Sequence, residues 1–179
     1  MAILTVSRQF GGRGDDIAAE LARRLGFRLV TREGIEQIMR ERYGVEPGSG
    51  DAPAEYNLYA DLLAGIVAEL ATAENIVLVG RGGQFLFREA ACALHLRVVA
   101  PRSWRAATVS AELGLAPPAA AALVARRDAA QARYLRAVFR RSAQSSDLYH
   151  LVLNTAALDL DHAADLALDA GETLNQFRI

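Results

Sequence analysis

The stretch Ile3-Leu4-Thr5-Val6-Ser7-Arg8-Gln9-Phe10-Gly11-Gly12-Arg13-Gly14-Asp15-Asp16-Ile17 holds the turn on which the fold depends. Ile3 to Val6 is a short apolar, β-branched run and reads as a strand, while Ile17, Leu21 and Leu25 recur at helical spacing. Between them Arg8 to Gly14 carries three glycines. Asp15 and Asp16 suit a first helical turn, where carboxylates meet unpaired N–H groups and the positive end of the dipole, and Gly26 suits the stop. A strand feeding a glycine-rich turn into a helix N-terminus is a ready anion site. It is also a common steric device, and the spacing G-x-x-x-x-G-K-[ST] is absent.

Outward from this turn the same alternation continues. Arg28 to Val30 reads as a second strand, and Thr31 caps a helix running to about Tyr43. Gly44 to Pro53 reads as a loop, with 44–55 the segment expected to move. Leucines and alanines at helical spacing cover Ala54 to Ala73, and Ile76 to Val79 reads as a strand ending in Gly80-Arg81-Gly82-Gly83. A strand at about Ala93 to Ala100 stops at Pro101, and a helix through Trp104, Arg105 and Val109 ends near Gly114. Pro117 and Pro118 start a long helix to about Phe139. Leu151 to Leu153 is the last strand, followed by a closing helix from Asp161 to about Asn175. Alternating apolar strands and helices imply parallel strands joined by right-handed crossovers, with helices on both sheet faces. In such sheets ligands bind beyond the carboxyl ends of the strands.

The length of 179 residues and 52% apolar content fit one domain with a single sizeable core. A net charge of −1 gives no global drive toward nucleic acid or an anionic membrane, and no apolar run reaches the ~20 residues of a spanning helix. No membrane or nucleic-acid partner is therefore expected. The arginine-rich stretch Arg126 to Arg141 has only Tyr134 and Phe139 as stacking partners. Cys92, the sole cysteine, excludes a disulfide framework and fits a reducing, cytoplasmic setting, where it packs as a small hydrophobe. All 20 basic residues are arginine. Lysine Schiff bases, lysine general bases and the P-loop lysine are excluded together, so arginine does any cationic work. His95, His150 and His162 show no metal-ligand spacing.

Ser7-Arg8-Gln9-Phe10-Gly11-Gly12-Arg13-Gly14 resembles the S-R-[EQ]-x-G-S-G-G segment of the cytidylate kinase-like family, relatives of nucleoside monophosphate kinases. Further matches follow in order: Val79-Gly80-Arg81-Gly82, Arg97-Val98-Val99-Ala100-Pro101, Arg127-Asp128 with Tyr134, and Asp147-Leu148-Tyr149-His150-Leu151-Val152-Leu153-Asn154-Thr155. The resemblance implies an α/β three-layer sandwich with a five-stranded parallel sheet, as in P-loop nucleoside monophosphate kinases. It implies a phosphotransferase that moves the γ-phosphoryl of ATP or another nucleoside triphosphate, with Mg2+, to a small nucleotide acceptor. A homodimer stays open.

By the same resemblance Arg8, Gly11, Gly12, Gly14 and Asp15 belong to the donor phosphate site, and Arg81 binds the acceptor monophosphate. Arg126, Arg127 and Arg133 fall in a lid-like segment, 126–147, that closes over the transferring group. Asp128 is the carboxylate expected to orient them or touch magnesium, with an ordinary helix partner as its alternative. The chain also departs from the family pattern. Gly14 stands in the slot of the usual P-loop lysine, and Arg13 replaces a glycine, either supplying the missing charge or blocking the loop. Val79, Thr31 and Gln131 replace an acid, an aspartate and an arginine, which leaves the metal ligands unassigned. A non-catalytic nucleotide-binding protein with the same fold is the alternative.

Overall fold

A computed structural model describes residues 1–46 and 53–174. Five strands, Ile3–Arg8 (β1), Arg28–Val30 (β2), Ile76–Val79 (β3), Ala93–Val99 (β4) and Leu151–Asn154 (β5), form one parallel sheet in the order β2-β3-β1-β4-β5. Ile3 lies opposite both Ile76 and Ala93, which fixes the register of the three central strands. Among the described residues six helices connect them and a seventh follows β5: Gly14–Leu25 (α1), Arg32–Tyr43 (α2), Pro53–Ala73 (α3), Gly83–Leu86 (α4), Arg102–Leu113 (α5), Pro117–Phe139 (α6) and Leu160–Thr173 (α7). Of the loop expected at 44–55, Gly44 caps α2 and Pro53 opens α3, while 47–52 lie outside the described residues.

The period-two pattern of the strands sorts side chains to two faces. On one, Leu4, Val6, Val77, Leu94 and Leu96 pack against Ile17, Ala18 and Leu21 of α1 and Ala163, Ala164 and Ala167 of α7. On the other, Ile3, Ile76 and Leu78 meet Ile35 and Met39 of α2 and Leu63, Ile66 and Val67 of α3. Each fully buried Leu or Ile contributes ~1.5–3 kcal/mol of transfer free energy. A small third cluster, Val109 of α5 with Ala120 and Val124 of α6, carries Phe10 of the glycine loop against it.

These layers position the site. β1 sends the chain through α1 toward β2 at one edge, while β4 sends it through α5 and α6 toward β5 at the other. The direction therefore switches between β1 and β4, and the turn Gln9–Arg13 leaves the sheet at that switch. The expected strands and long helices form with shifts of one or two residues at their ends. The short α4 and a 3-10 turn at Ser146–Leu148 were not foreseen, because both begin in stretches whose glycine or serine content reads as loop. Among the described residues no single helix is long and apolar enough to cross a membrane.

Candidate functional site

The turn between β1 and α1 is pinned at its base. The Gln9 and Gly12 N–H groups donate to the Val98 and Gln9 carbonyls, and Gln9 Oε1 accepts from the Ala100 N–H at 3.0 Å. Thr155, just past β5, donates its hydroxyl to the Gly12 carbonyl at 2.9 Å. Gly11 has φ 72°, and a Cβ there would meet the Val109 side chain at 2.7 Å, so only glycine fits. The N–H groups of Gly11, Arg13, Gly14, Asp15 and Asp16 have no acceptor among the described residues. This is a backbone concavity at a helix N-terminus, the chemistry that receives an oxyanion.

Arg13 is the N-cap of α1, in left-handed conformation at φ 57°, and its Nε donates to Asp16 at 3.0 Å where both side chains are half exposed. The atoms that crowd Gly11, Gly12 and Gly14 belong to Val109, Arg105, Gln9, Arg8 and Val98, not to Arg13. Arg8 instead runs alongside the loop, with Nε and Nη2 at 3.0 and 2.9 Å from one oxygen of Asp15.

Helices α5 and α6 close over the turn. Arg105, 3% exposed, donates to the carbonyls of Ala100 and Phe10 and, bidentately, to Asp128 at 3.0 and 2.9 Å. Both oxygens of Asp128 thus accept from an arginine on another helix. Gln131 donates to the Arg8 carbonyl at 3.2 Å, and the Arg127 guanidinium lies 5.5 Å from the Phe10 ring centre. Arg127 is thus brought to the loop. Arg126 and Arg133 are exposed and form no ion pair among the described residues, and no contact ties them to the loop.

The corner after β3 builds a second cationic place. Arg81 has φ 51° and donates to the Tyr59 hydroxyl at 3.0 Å, with its guanidinium 4.3 Å from the Tyr134 ring centre. No carboxylate among the described residues lies within ion-pair distance of it. The Tyr134 hydroxyl is buried without a hydrogen-bond partner, and burial pushes its pKa well above the ordinary value. Gly82 has φ 73°, and a Cβ there would overlap the Phe139 ring that closes this aromatic frame.

Sequence reasoning passed over Arg97 as a site residue. From β4 it donates to Ser7 Oγ at 2.7 Å, lies 5.6 Å from the Tyr149 ring centre, and has no carboxylate partner among the described residues. The signal was a charged residue in the middle of an otherwise apolar strand. His95 and His150, far apart in sequence, stack at 5.2 Å, and Thr5 Oγ1 bonds His95 Nδ1 at 2.7 Å. Burial, and then the neighbouring His150, depress the His95 pKa to about 4. Among the described residues no three His, Cys, Asp or Glu side chains are grouped to hold a metal ion.

A parallel sheet whose switch point carries an oxyanion-receptive turn beneath an arginine-bearing helix belongs to the class of P-loop kinase folds. Over residues 3–48 and 40–157 the sequence matches the Cytidylate kinase-like family, and the chain belongs to that family. A cytidylate kinase of Pyrobaculum calidifontis is 26% identical over 171 residues, 94% of this chain and 92% of that protein. An uncharacterized protein from Eubacterium ventriosum superposes with a TM-score of 0.82 at 16% identity, over 97% of this chain and 99% of that one. A gluconokinase from Sinorhizobium meliloti gives 0.61 at 15% identity, over 97% and 93%. The α/β sandwich and the kinase family expected from the sequence are both found.

Proposed function

We propose that the protein is a phosphotransferase that moves the γ-phosphoryl of a nucleoside triphosphate to a nucleoside monophosphate or a similar small phosphorylated acceptor. The observation that carries this reading is the set of free N–H groups at Gly11 and Arg13 to Asp16, together with an arginine, Arg81, at the end of the neighbouring strand β3 that has no carboxylate partner among the described residues. The amides hold the donor phosphates and need no reorganisation to do so. Arg81 grips the acceptor phosphate with a planar fork that stays charged at any working pH. Arg127, packed on Phe10, brings a further positive charge toward the transferring group. A small crevice lined by Arg13, Ile17, Thr155, Leu158 and Leu160, with room for about one water molecule, opens beside the loop.

Mg2+ usually keeps several waters and takes one or two carboxylates plus substrate phosphates. Asp15 and Asp16 fit that demand: each spends one oxygen on an arginine and has the other unengaged. When bound, the ion neutralises charge on the phosphates. Arg81→Ala is expected to weaken binding of a nucleoside monophosphate, measured by calorimetry, by ~1.5–3 kcal/mol, the worth of a charge-assisted bond, and ATP binding by much less. Equal losses for both ligands would remove the acceptor assignment.

A second reading, a binding protein without turnover, is favoured by one observation: Asp15, Asp16 and Asp128 are each ion-paired to an arginine. Incubation with ATP, Mg2+ and a panel of monophosphates separates the two. Diphosphate products support the transferase, and ATP binding without products supports the alternative.

A further inference from the structure

In the pattern G-x-x-x-x-G-K-[ST] the first position is a glycine and the seventh is the lysine that reaches the β and γ phosphates. Here those two positions, six residues apart, are Arg8 and Gly14. Charge and glycine have changed places. The structure shows why they must change together: a Cβ on Gly14 would overlap the Cβ of Arg8 and come within 2.8 Å of its Cγ. Only one of the two positions can carry a side chain, because both would send it through the same space.

The far end of Arg8 is accommodated in the same way. Gly80, at the end of β3, has φ 69°, and a Cβ there would overlap Arg8 Nη1. The stem of Arg8 thus crosses Gly14 and its guanidinium lies over Gly80, bonded to the Asp15 carboxylate in the first turn of α1. Asp15 holds it there through one carboxylate oxygen, and the Arg8 carbonyl is fixed from α6 by Gln131.

We infer that Arg8 is the donor-phosphate cation of this protein, delivered from the end of β1 instead of from the first turn of α1, with Asp15 as the positioning residue that holds it between ligands. This rests on the phosphate-loop reading above. A guanidinium brought in from the strand grips two phosphate oxygens at once, where an ammonium acts as a point charge.

The test compares calorimetric titrations of ATP and of inorganic tripolyphosphate into the wild type, Arg8→Ala, Arg8→Met and the exchange variant Arg8→Gly with Gly14→Lys. Arg8→Ala and Arg8→Met are expected to weaken both ligands roughly 10- to 100-fold, with the melting temperature of Arg8→Met close to the wild type because methionine keeps the stem of a side chain that is only 27% exposed. The exchange variant, which restores a P-loop lysine, is expected to recover much of the loss. Arg8→Met keeps the apolar stem should Arg8→Ala fold poorly. Unchanged affinity in the single variants overturns the inference and leaves the phosphate-loop reading standing. Losses that track melting temperature and are not recovered by the exchange also overturn it, since they describe a structural role. If the wild type binds tripolyphosphate through Arg8 but not ATP, the inference holds and the nucleotide reading falls. Binding of neither ligand removes both.

Discussion

Gly82 shows how tightly single residues are fitted around the second cationic place. Replacing it with alanine forces a left-handed conformation, at ~1–2 kcal/mol, and drives a Cβ into the Phe139 ring. Gly82→Ala is therefore expected to lose ~2–4 kcal/mol of stability in chemical denaturation, and to loosen the frame that holds Arg81. Arg13 is the opposite case. It bears the same left-handed strain at φ 57°, yet its half-exposed side chain makes its ion pair with an equally exposed aspartate. Arg13→Gly is expected to stabilise the chain by ~0.5–1 kcal/mol, read as a raised denaturation midpoint. Arg81 is strained at φ 51° as well, and there the strain sits at the proposed acceptor contact.

At the scale of elements, the clamp of Arg105 on Asp128 ties three segments together: the end of β4, the glycine turn and α6. Asp128→Ala leaves a buried guanidinium without its partner and is expected to cost ~3 kcal/mol by thermal or chemical denaturation. Asp128→Asn keeps an acceptor oxygen and should cost less. A weakened transferase with unchanged stability in Asp128→Ala would instead mark Asp128 as acting in the chemistry. The elements themselves were legible: β1, β3 and β4 are apolar runs closed by Gly or Pro, and Gly26, Gly44 and Gly114 end α1, α2 and α5. The clamp was not, because Arg105 sits in an ordinary amphipathic helix and its partner is 23 residues away. Nor was the route of Arg8, which depends on a side chain passing over Gly14 and then over Gly80, a glycine remote in sequence. Local periodicity carries no information about such crossings.

For the whole molecule, the sheet order came from pairing and not from any signal within a strand, whereas the parallel character followed from alternation alone. Acid stability is likewise a property of the assembled core. His95 titrates at about 4 in the fold and at 6.5 when unfolded, so the unfolded chain takes up the proton first. Its contribution is complete above pH 6.5 and is lost as pH falls toward 4. The ceiling is ~3 kcal/mol, since each tenfold loss of proton affinity is worth ~1.4 kcal/mol. Melting temperature measured between pH 7 and pH 4 is expected to fall through this window, and to fall less in His95→Asn. Glu20, held to about 2 by Arg23 and Arg24, acts in a separate and more acidic range, below 4.5.

The guanidinium lying over Gly80 also bears on behaviour in alkali. An ammonium at this place would discharge near pH ~10, whereas a guanidinium stays charged at any working pH. Affinity for the polyphosphate proposed to bind here should therefore stay level through that point. Reagents that acylate side-chain amines should leave the pocket untouched, and dicarbonyl compounds selective for arginine should silence it.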